Sequence, residues 1–190
     1  AGLLPWLNLT GRLGQVEFAS VNVDAPPSAI ASGHYALALG KMRLWGATFE
    51  ALNAQAIETS DAARAENMAA LEALDPYWRQ MAKTAAIESR AGVRATTPDR
   101  LPLIGAVPDE AKARDVFDGV RHGQAIEADA PLIDGLYICG GLGSRGFTWA
   151  PWGAEILASQ ILGEPAAASL PALEAISPMR LILRGLKRGG

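Results

Sequence analysis

Over the first fifty residues, hydrophobic positions fall in short runs broken by glycine and proline; nearer the C-terminus they recur at helical spacing. Gly14-Gln15-Val16-Glu17-Phe18-Ala19 reads as a strand, and Asp24-Ala25-Pro26-Pro27 as a turn or loop. His34–Leu39 and Met42–Ala47 flank Gly40-Lys41, which predicts a hairpin with a two-residue turn there. Residues 51–59 carry little signal. Ser60 or Asp61 can cap a helix running to about Leu74, with Met68, Leu71 and Leu74 on one side and Pro76 ending it. Ala85 to Arg94 reads as a strand of mixed pattern. Thr97–Pro102 is a loop with two prolines, Leu103–Val107 is a short apolar run, and 108–131 is polar without clear periodicity. Strands, helix, strands and helix in that order predict an α+β arrangement with an antiparallel or mixed sheet.

The sharpest pattern lies at 132–163. Leu136-Tyr137-Ile138-Cys139 predicts a buried strand. Glycines follow at 140, 141, 143 and 146, and then a helix with Pro151 near its first turn and Gly163 just past its end. Loop amides and the positive end of a helix dipole suit an anion. On spacing alone, a tight strand-to-helix turn without a ligand explains the same residues. Gly141, Gly143 and Gly146 also fit G-x-G-x-x-G. That fingerprint requires a second strand after the helix, with an acidic residue near its end. Here Gly163-Glu164-Pro165 opens an alanine-rich, proline-punctuated linker, so the dinucleotide-binding reading is rejected. At the C-terminus, Ser177-Pro178 is an N-cap followed by proline, with Ile176 and Leu181 placed as a hydrophobic staple. Met179, Ile182, Leu183 and Leu186 form one face of the helix that follows. Arg180, Arg184, Lys187 and Arg188 form another, read either as a solvated face or as a phosphate-contacting stripe.

Composition narrows the classes. A chain of 190 residues that is 49% hydrophobic supports a real core in one domain, or in one domain and part of another. No apolar run reaches membrane-spanning length, and the N-terminus lacks the pattern of a signal peptide. The chain begins Ala1-Gly2 without an initiator methionine, as an excised fragment would. Cys139 is the only cysteine, which excludes an intrachain disulfide and a cysteine-based metal site. It reads as a small core residue inside the predicted strand, and His34 and His122 have no partners at metal-ligand spacing. With a net charge of −3, any nucleic-acid contact must rest on a local basic patch.

Two stretches then combine. Gly92-Val93-Arg94-Ala95-Thr96-Thr97-Pro98-Asp99-Arg100-Leu101-Pro102-Leu103-Ile104-Gly105 is followed about thirty residues later by Gly135-Leu136-Tyr137-Ile138-Cys139-Gly140-Gly141-Leu142-Gly143-Ser144-Arg145-Gly146. The pair resembles the C-terminal half of the D-amino-acid-oxidase-like flavoproteins, which include glycine and sarcosine oxidases. Within them it is most similar to the oxidoreductase half of the bifunctional enzymes that build 5-methylaminomethyl-2-thiouridine in tRNA. Tyr35 to Glu50 and Ser177-Pro178-Met179-Arg180-Leu181-Ile182-Leu183-Arg184 extend the likeness over nearly the whole chain. The family often has Arg-Gly-Gln where this chain reads Arg12-Leu13-Gly14-Gln15.

The resemblance implies a substrate-binding domain over 1–131, and over 132–190 the last strand and helix of an FAD domain whose N-terminal Rossmann unit is absent. It implies that Gly140, Gly141, Leu142, Gly143, Ser144, Arg145, Gly146 and Phe147 face the flavin. Their oriented amides would stabilise negative charge there. It places Arg94 at the family's carboxylate-binding arginine, with Arg145 as a second substrate candidate; read from the residues alone, Arg94 is better explained by a structural ion pair with a carboxylate such as Asp99, and the motif context reverses that preference. Trp149 and Trp152 fit either core packing or a wall beside flavin or base. The implied protein is a cytoplasmic FAD-dependent oxidoreductase of a secondary amine. It would remove a carboxymethyl group, as glyoxylate, from carboxymethylaminomethyl-uridine in tRNA, with no catalytic side chain assigned and no metal. Its implied partners are tRNA, through Arg180, Arg184, Lys187 and Arg188, the N-terminal FAD-binding portion and a methyltransferase domain. The fragment alone would not hold FAD tightly. A free amino-acid oxidase and a non-catalytic RNA-binding module are the alternatives.

Overall fold

The computed structural model describes residues 4–52, 57–126 and 128–188. It is a mixture of helices and antiparallel pairings, in two compact units: Gly11–Arg94, and Ala1–Thr10 with Ala95–Gly190. These units divide the chain elsewhere than the functional division expected at residue 131.

In the first unit, β1 (Thr10–Ser32) pairs antiparallel with β2 (His34–Gly46) and with the short β3 (Glu50–Ala51), and β4 (Glu88–Thr96) also pairs with β1. The hairpin turn is not at Gly40-Lys41. Ser32 faces His34 across Gly33, whose φ of +74° makes the reversal, and β2 continues through Gly40. Nor is 24–27 a loop: β1 runs through it, with register shifts between Ser20 and Ala25 and between Ala25 and Ser28. A bulge absorbs the extra residues that a turn would otherwise use.

Helix α1 (Asp61–Leu74) follows the sequence expectation: Ser60 Oγ accepts the Ala63 amide at 3.1 Å. Pro76 ends it by starting α2 (Pro76–Ala82), which the Asp75 carboxylate caps through the Tyr77 and Trp78 amides. Leu71, Met68 and Leu74 close over Ala19, Ala36 and Trp45 to make the core of this unit. A buried polar cluster ties α1 and β4 to β1. Glu17, fully buried, accepts from Gln15 Nε2 at 2.7 Å, from Asn67 Nδ2 at 3.2 Å and from the Ser89 hydroxyl, with Arg64 Nε at 3.5 Å. A buried carboxylate persists only when satisfied in this way.

In the second unit, β5 (Leu103–Pro108) pairs antiparallel with β6 (Leu132–Gly140). Between them lie α3 (Glu110–Val116) and a 3-10 turn at Asp118–His122, which occupy part of the stretch without periodicity. Helix α4 (Gly146–Leu162) packs on both strands, and α5 (Leu170–Ile176) and α6 (Met179–Lys187) follow it. Gly153 permits the close approach of α4, since a Cβ there would meet Ile104 Cδ1 at 2.8 Å. Ile104, Ile156 and Ile176 form one core cluster, and Phe117, Val120, Met179, Ile182 and Leu186 another. Two expectations change. The helix begins at Gly146, so Pro151 lies inside it and the Phe147 carbonyl has no amide to accept from. The strand expected to be buried is largely exposed: Leu132, Ile133, Leu136 and Tyr137 are 36–50% accessible. Within its own unit, and among the described residues, β6 pairs with β5 alone.

Candidate functional site

Arg94 lies near the end of β4, half-buried. Its Nη1 donates to the Thr48 carbonyl at 3.0 Å, and its guanidinium lies 5.9 Å from the centre of the Phe49 ring. Thr48 is itself clamped. The Gln15 amide donates to its hydroxyl at 2.9 Å and the Thr48 amide donates to the Gln15 carbonyl at 3.2 Å. The Gln15 side chain in turn exchanges hydrogen bonds with the Ser60 backbone and donates to Glu17, so Arg94 is held through the buried polar cluster. Gly14 leaves the space it occupies: a Cβ at 14 would overlap the guanidinium. Arg12 lies 5.8 Å from the same Phe49 ring. Among the described residues, neither Arg12 nor Arg94 has a carboxylate within 4.0 Å.

The ion pair that would have explained Arg94 structurally is made elsewhere. Asp99 takes a two-point contact from Arg180, Nε to Oδ2 at 2.8 Å and Nη2 to Oδ1 at 3.0 Å, and a further contact from Arg184. Burial pushes the Asp99 carboxyl up. Hydrogen bonds from Arg180, the Leu101 amide and Thr97, together with the Arg180 charge, outweigh that and hold it well below the usual carboxylate range.

Tyr35, at the start of β2, feels the Arg94 charge. Burial pushes its phenol up and the Arg94 charge pulls it partly back, so it stays a neutral hydroxyl donor within that field. Sequence reasoning quoted Tyr35 only as part of a hairpin. A tyrosine near one end of that hairpin and Thr48-Phe49 just past the other were the available signal.

The glycine loop is the other candidate. Gly141 (φ +63°) and Gly143 (φ +58°) take the left-handed conformation, and a Cβ on Gly141 would meet Thr97 Cγ2 at 3.0 Å. Thr96 bridges to Leu142, and Gly143–Arg145 makes one 3-10 turn into α4. Among the described residues no side chain caps α4, which leaves its first-turn amides open to a ligand or water. Arg145 and Ser144 are exposed, and Phe147 is wholly so. Trp152 packs on the Ile104, Ile156 and Ile176 cluster and stands 5.5 Å from Trp149. The loop's glycine geometry and uncapped helix start fit a group that needs close backbone approach and anion stabilisation, as a flavin ring edge does.

The basic stripe on α6 is corrected. Arg180 is 6% exposed and bonded to Asp99, Leu101, Ile176 and Ser177, so it braces the helix and offers nothing to phosphate. Arg184 shares Asp99, and only Lys187 and Arg188 of the four remain exposed without an ion pair among the described residues. Cys139, expected in the core, is instead exposed on the largely uncovered β6, with its sulfur beside Gly153. No helix among the described residues is long and apolar enough to cross a membrane.

Comparison with known proteins gives three findings. The DAO family profile, FAD dependent oxidoreductase, matches residues 14–160. The chain is 36% identical over 182 residues to the tRNA 5-methylaminomethyl-2-thiouridine biosynthesis bifunctional protein MnmC of Aromatoleum aromaticum, covering 93% of this chain and 27% of that one. It is 39% identical over 202 residues to the MnmC protein of Cupriavidus necator, covering 98% and 30%. It thus spans under a third of the length of these relatives. Among solved structures, it is similar in fold to iminodiacetate oxidase from Chelativorans sp. BNC1 (TM-score 0.66, 24% identity, 90% of this chain and 40% of that one). It is likewise similar to glycine oxidase from Geobacillus kaustophilus (TM-score 0.65, 18% identity, 90% and 39%).

Proposed function

The chain belongs to the FAD dependent oxidoreductase family, and we propose that it is the substrate-binding and flavin-facing part of a longer enzyme that oxidises a carboxylate-bearing secondary amine, the carboxymethylaminomethyl group of a wobble uridine in tRNA. The observation that carries this reading is Arg94: a positioned guanidinium without a carboxylate among the described residues, whose charge acts on the neutral Tyr35 phenol. Two parallel hydrogen bonds from Arg94 and one from Tyr35 would fix a carboxylate and, with it, the adjacent carbon–nitrogen bond. The part that relatives at 36–39% identity play in tRNA 5-methylaminomethyl-2-thiouridine biosynthesis supports tRNA as the carrier of that amine.

Gly140, Gly141, Leu142, Gly143, Ser144, Arg145, Gly146 and Phe147 would hold the reactive edge of FAD. Their part is electrostatic: oriented amides and the α4 dipole stabilise negative charge. FAD, when bound, supplies the oxidant for the carbon–nitrogen bond. The amine loses a hydride from the carboxymethyl carbon and a proton from nitrogen. Water then cleaves the imine to glyoxylate and the aminomethyl base. Arg94 and Tyr35 orient the substrate, and neither needs to act as a strong acid or base if the amine arrives neutral.

The test is a visible absorption spectrum of the full-length enzyme, followed by anaerobic mixing with tRNA carrying carboxymethylaminomethyl-uridine. Flavin bands that bleach with that tRNA support the reading. Bleaching only by free amino acids replaces tRNA with a small-molecule substrate. A parent with no flavin defeats the enzyme reading and leaves an RNA-binding module.

A further inference from the structure

Phe49 is a large apolar side chain left 53% exposed, yet its position is fixed. The residue before it, Thr48, is fully buried and clamped to Gln15, and the residue after it, Glu50, pairs with Leu13. Two guanidiniums lie near the ring, Arg12 at 5.8 Å and Arg94 at 5.9 Å from its centre. Like charges gathered beside one ring, without a carboxylate among the described residues, are relieved by an anion. The reading above assigns a carboxylate to Arg94, which leaves Arg12 unmatched.

Building on that reading, we infer that Phe49 and Arg12 form a second subsite, in which the Phe49 ring stacks the base of the modified nucleotide and Arg12 meets its phosphate. An exposed aromatic beside cations is the usual platform for an unstacked base. The reach agrees. Four single bonds of about 1.5 Å each, bent at tetrahedral angles, separate the uracil ring from the carboxylate carbon by about 5 Å. A base stacked about 3.5 Å above Phe49 therefore lies within an extended arm's length of a carboxylate held by Arg94. A substrate without base or phosphate would use the Arg94 end alone.

The test uses the full-length, FAD-loaded enzyme and two probes. One is an anticodon stem-loop RNA carrying carboxymethylaminomethyl-uridine, followed by anaerobic flavin bleaching. The other is iminodiacetate, a carboxymethyl secondary amine lacking base and phosphate, read as a competitor of the RNA. Phe49→Leu is expected to raise the half-saturating RNA concentration about 10-fold or more. Phe49→Tyr should stay near wild type, and the iminodiacetate inhibition constant should be unchanged in both. Arg12→Gln should lower the salt slope of RNA binding by about one. Phe49→Leu matching wild type toward the RNA overturns the subsite. So does a loss shared equally by RNA and iminodiacetate, which would mark Phe49 as a structural residue. Wild-type enzyme whose flavin the RNA fails to bleach overturns the reading above, and the subsite with it. RNA bleaching that is intact in wild type and insensitive to Phe49 removes the subsite alone.

Discussion

Arg180 and Arg94 are the same residue type in opposite circumstances. Arg180 is buried, and its fork is saturated by one carboxylate and three backbone carbonyls. Arg94 is half-buried and donates to one carbonyl, with no carboxylate among the described residues. A saturated guanidinium holds an element in place. An unsaturated one, fixed by its neighbours, is suited to an incoming anion. Asp99 makes the distinction, because it belongs to Arg180 and Arg184.

Exchanging the two roles by mutation sharpens the contrast. Arg94→Gln, in the full-length enzyme, is expected to lower kcat/KM by about 100-fold to 10,000-fold, the worth of two charge-assisted hydrogen bonds at about 1.5–3 kcal/mol each. Its melting temperature should stay near wild type. An activity loss matched by a collapse in melting temperature would put Arg94 in the structural class with Arg180. Asp99→Asn should do the reverse, costing about 3 kcal/mol of stability by stranding buried Arg180, as read by chemical denaturation. The pH dependence has a definite sign. Asp99 titrates lower in the folded chain than in the unfolded one, so its contribution is present above about pH 4 and is lost as the pH falls further. The Asn variant should show a flatter acid limb.

Smaller effects probe the edges of the contrast. Tyr35→Phe removes the proposed hydrogen bond to the carboxylate, about 1.5–3 kcal/mol, and should raise KM about 10–100-fold with kcat nearly unchanged. An unchanged KM would detach Tyr35 from Arg94. Gly141→Ala forces a left-handed φ and a tight approach to Thr97, at about 1–2 kcal/mol. A drop in flavin affinity without global unfolding would tie the loop to the cofactor.

Local chemistry was legible in the sequence where one residue sufficed to set it. Ser60 before the Met68, Leu71 and Leu74 spacing marks α1, and the strand, glycine loop and Gly163 cap around α4 follow from composition and φ preference. What escaped depends on partners far along the chain. Gly40 looks like a turn until β2 is seen to pair back through Ala25 and Ser28, which moves the reversal to Gly33. Short helices such as α3 and α5 carry too few turns for a period to emerge. The α6 stripe looked uniform because nothing at Arg180 announces a carboxylate 81 residues earlier. For the same reason Arg94 could not be told from a paired arginine until Asp99 was found occupied. Its candidate role was visible only through the motif around it.

Gly14 has a consequence for lineages. The hydrogen at its α-carbon is all that separates the β1 backbone from the Arg94 guanidinium. Gly14→Ala would displace the guanidinium while leaving its charge on the protein. Position 14 and position 94 are therefore expected to change together or not at all. A descendant that fills position 14 would lose the guanidinium placement on which the proposed carboxylate grip rests. Its substrate preference should be found to have drifted, however well the rest of the chain has been kept.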